Sequence, residues 1–211
     1  MRPRALDLFC CAGGAGMGLH NAGFDVVGVD IDPQPHYPFE FHQADALMYP
    51  LDGFDFVWAS PPCQAYTLCQ RIRDNKHPEL VGPIRQRMQA AGVPWCIENV
   101  VGAPLVNPIE LCGAMFDLKV YRHRLFECSF FVQAPPHPKH VAPIRKMGRP
   151  PLPGDFIHVV GNFSGVRQAR EAMDIPWMPR DKLREAIPPA YSEYVGRAAL
   201  SHIASVRMAA E

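Results

Sequence analysis

The chain has 211 residues, the size of one α/β domain, and a chain of this length can bury a core without disulfides. Hydrophobic residues make up 48% and charged residues 20%, and no apolar run reaches the roughly 20 residues of a membrane span. The formal net charge is +0, so any contact with nucleic acid must come from a local basic patch. Seven cysteines, an odd number, and no apolar leader predict reduced thiols, a cytoplasmic location and no membrane partner.

The N-terminal part of the chain predicts a βαβ unit. Residues 5–9 (ALDLF) form an apolar run, a glycine-rich turn leads into a helix up to about residue 22, and residues 24–29 predict a second strand. Such a unit requires a parallel sheet. We therefore expect an α/β fold, with a mostly parallel sheet flanked by helices, in a single domain over residues 1–211.

Further elements follow in chain order. Strands are predicted at 54–59, 95–101 and 156–160, a strand pair within 118–132, a helix at 81–91 and a closing helix at 186–207. Between them, residues 134–155 contain seven prolines separated by basic side chains, which excludes a central strand or a long helix.

The glycine-rich turn is a candidate cofactor site. Glycines allow the backbone to approach a ligand closely and to present free N–H groups to it. Asp30 ends the next predicted strand, where a carboxylate can accept both ribose hydroxyls of an adenosine cofactor, and Asp45 could accept from an adenine amino group. These residues alone leave three interpretations open: NAD, S-adenosylmethionine (SAM), or a purely structural turn.

Cys63 is the candidate nucleophile. The sequence Ser60-Pro61-Pro62-Cys63-Gln64 directly follows a predicted strand, so the thiol lies at the carboxyl edge of the sheet, where α/β proteins bind ligands. The two prolines stiffen this loop and fix the position of the thiol. The other six cysteines are interpreted as small buried hydrophobic residues.

An acid and two arginines complete the candidate chemistry. Glu98 ends an otherwise apolar strand, where an idle carboxylate is costly to bury, so a raised pKa is expected. Arg122 and Arg124 are expected on the same side of an extended segment, because side chains alternate with period two. Methylation of cytosine at carbon 5 needs a thiolate that adds to carbon 6, an acid at N3 and a cation at the carbonyl oxygen.

With these stretches in place, the sequence resembles the DNA cytosine-5 methyltransferase family. The matching stretches, in the order of the family, are Asp7-Leu8-Phe9 with Gly13-Gly14, Pro62-Cys63-Gln64, Glu98-Asn99-Val100, Arg122-x-Arg124 and Ile187-Pro188-Pro189. They cover most of the chain outside residues 134–155. The short length of this sequence is similar to that of bacteriophage members of the family, which would place the protein in a host cytoplasm.

The resemblance implies a cofactor, a substrate and the site residues. The cofactor would be SAM, held by the glycine loop and the following strand ends, through Phe9, Cys11, Ala12, Gly13, Gly14, Asp30, Ile31, Asp45, Ala46 and Pro62. The catalytic residues would be Cys63 as nucleophile, Glu98 at N3 and the exocyclic amine, and Arg124 at the base carbonyl, with Arg122 beside it. The target cytosine would be flipped out of double-stranded DNA.

The sequence departs from the family pattern in three places. Cys11 replaces the first glycine of the loop, Arg184-Glu185 replaces a Gly-Asn pair before the closing block, and the target-recognition segment is much reduced. Base-edge readout should therefore be limited to a short site. The expected DNA contacts are Gln64 and the basic residues of the proline-rich segment, namely Lys139, His140, Arg145, Lys146 and Arg149.

The short recognition segment leaves room for a separate specificity partner, and we expect a monomer. No metal is expected, because His137-Pro138-Lys139-His140 has no paired Cys or His motif at a matching distance. Three rivals remain: an amino methyltransferase, which would carry an aromatic residue where Cys63 stands, the same chemistry on a free cytosine nucleotide, and a DNA-binding protein without turnover. A dehydrogenase shares only the glycine loop and is disfavoured.

Overall fold

The computed structural model describes residues 2–67, 77–144, 149 and 152–209. Within these residues seven strands form one sheet. In chain order they are β1 (Arg4–Leu8), β2 (Asp25–Asp30), β3 (Glu40–Gln43), β4 (Phe56–Ala59), β5 (Trp95–Asn99), β6 (Ile109–Leu111) and β7 (Arg124–Cys128). Their spatial order is β3-β2-β1-β4-β5-β7-β6.

The sheet is mostly parallel, as predicted. Strands β3, β2, β1, β4 and β5 run parallel, whereas β7 is antiparallel to both β5 and β6. The connection order reverses between β1 and β4, and ligands of open α/β sheets bind at such a switch point, outside the carboxyl ends of the strands. Because β7 runs in the opposite direction, its first residue, Arg124, lies at this same edge.

Helices cover both faces of the sheet. The helices in the described ranges are α1 (Gly14–Ala22), α2 (Val81–Ala91), α3 (Val166–Met173), α4 (Arg180–Leu183) and α5 (Pro189–Ala209). Side chains of one strand alternate between two cores. In β4, Phe56 and Trp58 pack with α1 and α5, while Val57 and Ala59 pack with α2 on the other face.

Helices α1 and α5 approach closely, and this contact brings the C-terminal block to the glycine loop. A Cβ on Gly18 would collide with the carbonyl of Pro189, and one on Gly14 would lie 2.5 Å from the carbonyl oxygen of Ile187. The Ser192 hydroxyl donates to the carbonyl oxygen of Ala15 at 2.8 Å. The two glycines therefore allow residues distant in sequence to share one site.

Two strand predictions are wrong. The pair expected within residues 118–132 is instead β7 with β6, which lies before that range. Residues 156–160 form no strand: Phe156 makes one isolated bridge with Ile144, and the Ile157 N–H donates to the Lys119 carbonyl oxygen at 2.8 Å. Because these contacts go to two separate segments, no continuous ladder forms. The helix predicted at 81–91 coincides with α2, and the closing helix begins at Pro189.

The proline-rich segment lies beside the β6–β7 end of the sheet. Its described residues form neither helix nor strand apart from the bridge at Ile144. Of the basic residues predicted to contact DNA, Arg145 and Lys146 lie outside the described residues. Among the helices of the described ranges, none has the length and apolar character needed to cross a membrane.

Candidate active site

The carboxyl edge of the sheet carries a cavity in which most of the predicted site residues meet. It is lined by the glycine loop after β1, the end of β2, the proline–cysteine loop after β4, Glu98 of β5 and Arg124 of β7. Of the predicted cofactor residues, those that line it are Phe9, Cys11, Ala12, Gly14, Asp30, Ile31 and Pro62. The fold thus brings the candidate cofactor loop and the candidate nucleophile into one cavity.

Three predicted cofactor residues are not among those that line the cavity. The carboxylate of Asp45 accepts the N–H of Leu47 at 2.8 Å and so closes its own turn. Ala46 is buried, and its carbonyl oxygen accepts from Arg87 at 2.9 Å. Gly13 precedes α1 with a φ of 84°, and a Cβ there would collide with Pro38. Gly13 therefore allows the conformation of the loop without itself lining the cavity.

Two hydrogen bonds hold the glycine loop in a tight conformation, one to the end of β2 and one to the C-terminal part of the chain. Phe9 and Cys11 both have positive φ, 58° and 47°, a region that non-glycine residues seldom adopt. The N–H of Cys11 donates to Asp30 Oδ2 at 2.9 Å, which ties the loop to the end of β2. From the C-terminal part, Trp177 Nε1 donates to the Ala12 carbonyl oxygen at 2.9 Å.

The thiol of Cys63 lies directly after the two prolines, before a short 3₁₀ turn (Gln64–Tyr66). The loop is fixed from β5, because Asn99 Nδ2 donates to the Pro61 carbonyl oxygen at 2.9 Å. Burial raises the pKa of the Cys63 thiol, and the Arg124 guanidinium opposes this rise. The thiol is therefore half-buried with a pKa above its ordinary value, and the nearby Arg124 cation partly offsets the effect of burial.

Glu98 and Arg124 form an ion pair inside the cavity. Arg124 Nε lies 3.1 Å from Glu98 Oε1, and the two side chains are only 14% and 8% exposed. Burial raises the pKa of Glu98 above its ordinary value, while Arg124 and a hydrogen bond with Ser60 limit the rise. A raised pKa favours the protonated carboxyl group, which is the form that can donate a proton. The raised pKa expected from the sequence is confirmed.

Arg122 is not among the residues that line the cavity of Cys63, although it lines the adjoining cleft together with Arg124. Its φ is 37°, so the chain is not extended there, and the Tyr191 hydroxyl donates to its carbonyl oxygen at 3.0 Å. Its guanidinium donates to the carbonyl oxygens of Val159 and Arg184 at 2.9 and 2.8 Å. Enclosure lowers its pKa to about 9, and Arg124 adds to this shift. Arg122 thus joins three segments behind the cavity.

Several residues line the cavity that the sequence had not assigned to the site. They are Asp7, Gln34, Met178, Lys182 and Glu185. Asp7 had a visible signal, because it is the charged residue within an apolar strand. It is fully buried, the Tyr37 hydroxyl donates to it at 3.2 Å, and burial raises its pKa to about 7. Met178, Lys182 and Glu185 precede α5 and reach the cavity because their segment packs on Ala12 of the glycine loop.

The cavity fits the predicted cofactor in charge and in donor–acceptor character. SAM is an adenosine derivative with a cationic sulfonium and an ammonium group, so it needs ribose acceptors and nearby negative charge. Asp30 supplies a carboxylate beside the glycine loop, and Asp32 and Glu185 add acidic groups to the lining. The buried Asp7 Oδ1 has no hydrogen-bond partner among the described residues, which leaves an acceptor for a ligand donor.

The predicted DNA contacts are divided between two places. Gln64 lines the cavity beside Cys63, whereas Lys139, His140 and Arg149 are exposed side chains of the proline-rich segment. A second cleft adjoins the cavity and shares Arg124 with it; His140 lines this cleft along with Thr67, Val101 and Ile157. The structure therefore links the proline-rich segment to the catalytic edge through a continuous lining.

The structure brings Cys112 and His123 next to His137 and His140, the two histidines for which the sequence showed no paired Cys or His motif. Cys112, His123, His137 and His140 have donor atoms that all lie within 4.8 Å of one another. They come from three separate segments of the chain, which explains why a search for closely spaced pairs missed them. This group is distinct from the cavity of Cys63.

No protein-family model and no curated protein matches the chain in sequence. Its fold is similar to that of a solved structure named as a putative DNA modification methyltransferase encoded within a prophage of E. coli. The identity is 13%, the match covers 96% of this chain and 99% of that one, and the TM-score is 0.66.

Two further structures match part of the chain. One is the Dnmt2 methyltransferase of S. pombe, with 18% identity over 64% of this chain and 52% of that one, and a TM-score of 0.45. The other is the tRNA (uracil-54, C5)-methyltransferase of Pyrococcus abyssi in complex with S-adenosyl-L-homocysteine, with 21% identity, 49% and 26% coverage, and a TM-score of 0.32. The match over nearly the whole of both chains, together with the sheet order, establishes a Rossmann-like α/β fold.

Proposed function

We propose that the protein transfers a methyl group from SAM to carbon 5 of cytosine in DNA through a covalent adduct with Cys63. The observation that carries the proposal is the convergence of Cys63, Glu98 and Arg124 on the same cavity as the glycine loop and Asp30. Each group fills one chemical role, and none is repeated. The full-length structural neighbour, named as a DNA modification methyltransferase, supports a methyltransferase that acts on DNA.

In this proposal each side chain acts on a stated atom of the flipped base. The Cys63 thiolate adds to carbon 6, Glu98 donates a proton or hydrogen bond at N3, and Arg124 binds the carbonyl oxygen. Carbon 5 then takes the methyl group that SAM supplies. Loss of the carbon 5 proton to solvent and elimination of the thiolate from carbon 6 restore the aromatic ring and the enzyme.

The remaining residues hold these groups in place. The prolines and Asn99 fix the loop of Cys63, and Arg122 is a positioning residue, because its guanidinium is bound to backbone carbonyl oxygens. Phe9, Cys11, Ala12, Gly14, Asp30, Ile31 and Pro62 would hold the cofactor. Lys139, His140 and Arg149, with Arg145 and Lys146 from outside the described residues, would contact DNA phosphates.

The test is transfer of labelled methyl from SAM to unmethylated DNA, with free dCMP in parallel, followed by mass spectrometry of the nucleosides. We expect 5-methylcytosine from DNA, no label in dCMP, and no transfer by Cys63→Ala or Glu98→Gln while SAM binding persists. Cys128→Ala is the matched control, because Cys128 pairs with Cys96 at the far end of β5 and should leave transfer unchanged. Label on an exocyclic nitrogen would refute the role of Cys63.

A second measurement captures the covalent step itself. DNA that carries 5-fluorocytosine cannot lose a proton from carbon 5, so the adduct should persist after methyl transfer. We expect peptide mass spectrometry to find the adduct on Cys63 alone, and only in the presence of SAM. A turnover-competent enzyme that forms no adduct would contradict the covalent mechanism.

A further inference from the structure

Four metal-binding side chains converge beside the β6–β7 hairpin, outside the cavity of Cys63. We infer that Cys112, His123, His137 and His140 bind one zinc ion, which fastens the proline-rich segment to the sheet. The four donor atoms lie within 4.8 Å of one another. The inference rests on these contacts and does not depend on the proposed function.

The hairpin itself brings the first two ligands together. Leu111 of β6 pairs with Arg124 of β7 in the antiparallel register, so the next residues outward, Cys112 and His123, lie opposite each other. Neighbours across an antiparallel pair have Cβ atoms about 4.5–5.5 Å apart, which is within reach of a shared ion. Cys112 is fully buried and His123 half-buried, so this side of the site is rigid.

The other two ligands come from the proline-rich segment and are held against the hairpin. The ring of His140 stacks on Tyr121 with a centroid separation of 3.6 Å. The Tyr121 hydroxyl donates to the Ala142 carbonyl oxygen at 2.8 Å and accepts the Ala142 N–H at 3.2 Å. His137 and His140 have ring centroids 4.9 Å apart, so this short segment presents both imidazoles to the hairpin.

The distances agree with a tetrahedral zinc site. Cys112 Sγ lies 3.3 Å from His140 Nε2, and His123 Nε2 lies 3.2 Å from His137 Nε2. Zinc bound at its usual distances with tetrahedral angles places sulfur and nitrogen about 3.5 Å apart and two nitrogens about 3.3 Å apart. The widest pair must close by about 1 Å, which the exposed side chains of His137 and His140 allow by small rotations.

The donor set identifies the ion and its role. One thiolate and three imidazoles suit zinc and do not suit magnesium or calcium, which prefer oxygen ligands. Four protein ligands leave no open position, which is typical of a structural zinc and excludes an activated water. A zinc ion with one thiolate keeps one positive charge, and Glu110 Oε1, 3.7 Å from His123 Nε2, lies where it can balance that charge.

The zinc ligands adjoin both a residue of the proposed active site and the basic segment. His123 directly precedes Arg124, whose guanidinium pairs with Glu98. His137 and His140 flank Lys139 in the exposed segment. A zinc ion would therefore add a strong link between the basic segment and the strand that carries Arg124, beside the hydrogen bonds of Tyr121 with Ala142.

The experiment measures metal content in protein purified without a polyhistidine tag and without chelators. After dialysis against zinc buffered by a weak chelator and gel filtration, we expect about one zinc ion per chain by plasma mass spectrometry. Cys112→Ser and His137→Ala should each reduce zinc content by about tenfold or more. His36→Ala and Cys128→Ser, which alter an exposed histidine and a cysteine of β7 outside the group, should retain it.

Cobalt substitution identifies the ligands independently of stability. The wild-type protein loaded with Co(II) should show a sulfur-to-cobalt charge-transfer band and the strong visible bands of a tetrahedral site, and Cys112→Ser should remove the charge-transfer band. Because His137 is exposed, His137→Ala should fold as judged by circular dichroism and yet lose the metal. A wild-type protein that binds no zinc, or zinc retained by His137→Ala, would overturn the inference.

Discussion

The side-chain amide of Asn99 donates a hydrogen bond to the carbonyl oxygen of Pro61 at 2.9 Å, and its own carbonyl oxygen accepts the Val100 N–H at 2.9 Å. Asn99 is 1% exposed, so water cannot replace either bond. This one residue joins the strand that carries Glu98 to the loop that carries Cys63. The separation of the acid and the nucleophile therefore depends on an amide that touches neither reacting group.

Replacement of Asn99 by Ala tests this positioning role. We expect kcat to fall by about ten- to a hundred-fold, because a displacement of the nucleophile by about 1 Å has an effect of that size. The KM for SAM should change little, because Asn99 lies outside the cofactor loop. Asn21→Ala, at an exposed position of α1, is the matched control. An equal loss of SAM affinity in Asn99→Ala would mean general damage to the fold.

Arg124 should control the reactivity of the Cys63 thiol. Its positive charge lowers the pKa of Cys63 against the effect of burial. In Arg124→Met the pKa of Cys63 should rise, so less thiolate exists at a fixed pH and alkylation by iodoacetamide slows by about threefold or more. Alkylation is followed on the Cys63 peptide by mass spectrometry, which separates it from the other cysteines. Arg197→Met, on the exposed side of α5, should leave the rate unchanged.

The proline-rich segment should contribute phosphate contacts. Each phosphate that the protein neutralises steepens the dependence of log K on log salt by about 0.9, so Lys139→Ala with Arg149→Ala should flatten the slope by up to about 2. The measurement is fluorescence anisotropy of a labelled duplex over a salt series. Arg167→Ala with Arg197→Ala is the control pair, because these arginines lie on α3 and α5. An unchanged slope would indicate that the segment is a solvated loop that makes no phosphate contacts.

The sequence could predict those parts of the site that depend on parallel strands. Carboxyl ends of parallel strands share an edge, so the residue order alone was enough to place Asp30, Cys63 and Glu98 together. Arg124 lies at this edge for a different reason, because it is the first residue of an antiparallel strand. The Arg-x-Arg motif indicated a role for it, but the extended backbone expected at Arg122 is replaced by a positive φ.

The misplaced residues share a physical cause, which is that tertiary contacts decided their conformation. Arg122 adopts a positive φ because Tyr191 and two distant carbonyl oxygens hold it there. The group around Cys112 requires both the β6–β7 hairpin and the return of the proline-rich segment. Lys182 and Glu185 reach the cavity because the segment before α5 packs on Ala12 of the glycine loop. None of these contacts leaves a local pattern in the sequence.

Asp7 should make the stability of the protein depend on pH in an unusual direction. Burial raises its pKa to about 7, whereas in the unfolded chain an aspartate titrates near about 4. Between these values the native state holds a proton that the unfolded state releases. The free energy of unfolding therefore falls as pH rises through this window, and the cost is complete above about pH 7.

Asp7→Asn removes this cost because an amide does not ionise. The amide oxygen can still accept the hydrogen bond from Tyr37. At about pH 8 the variant should be more stable than the wild type by on the order of 4 kcal/mol, and below about pH 4 the difference should vanish. Urea unfolding at several pH values provides the measurement, and Asp52→Asn, at an exposed position, is the control. A stability difference that is constant with pH would show that the carboxyl group of Asp7 is ionised in both states.

Cys11 occupies the position where the cytosine-5 methyltransferase family has a glycine, and its φ of 47° explains that preference. A side chain in the left-handed region costs about 1–2 kcal/mol, while glycine loses about 0.5–1 kcal/mol more backbone entropy on folding. Cys11→Gly should therefore raise the free energy of unfolding by about 0.5–1 kcal/mol, within the range of these two terms.

Cys11→Ala separates the backbone effect from the loss of the thiol, because alanine keeps the Cβ that causes the strain and removes only the sulfur. We expect Cys11→Gly to be more stable than Cys11→Ala in urea unfolding, and to bind SAM at least as tightly by calorimetry, since the Cys11 N–H that donates to Asp30 is retained. If the two variants are equally stable, the loop is not strained at Cys11. If glycine weakens SAM binding alone, the stiffness contributed by the Cys11 side chain holds the loop in the conformation that binds the cofactor.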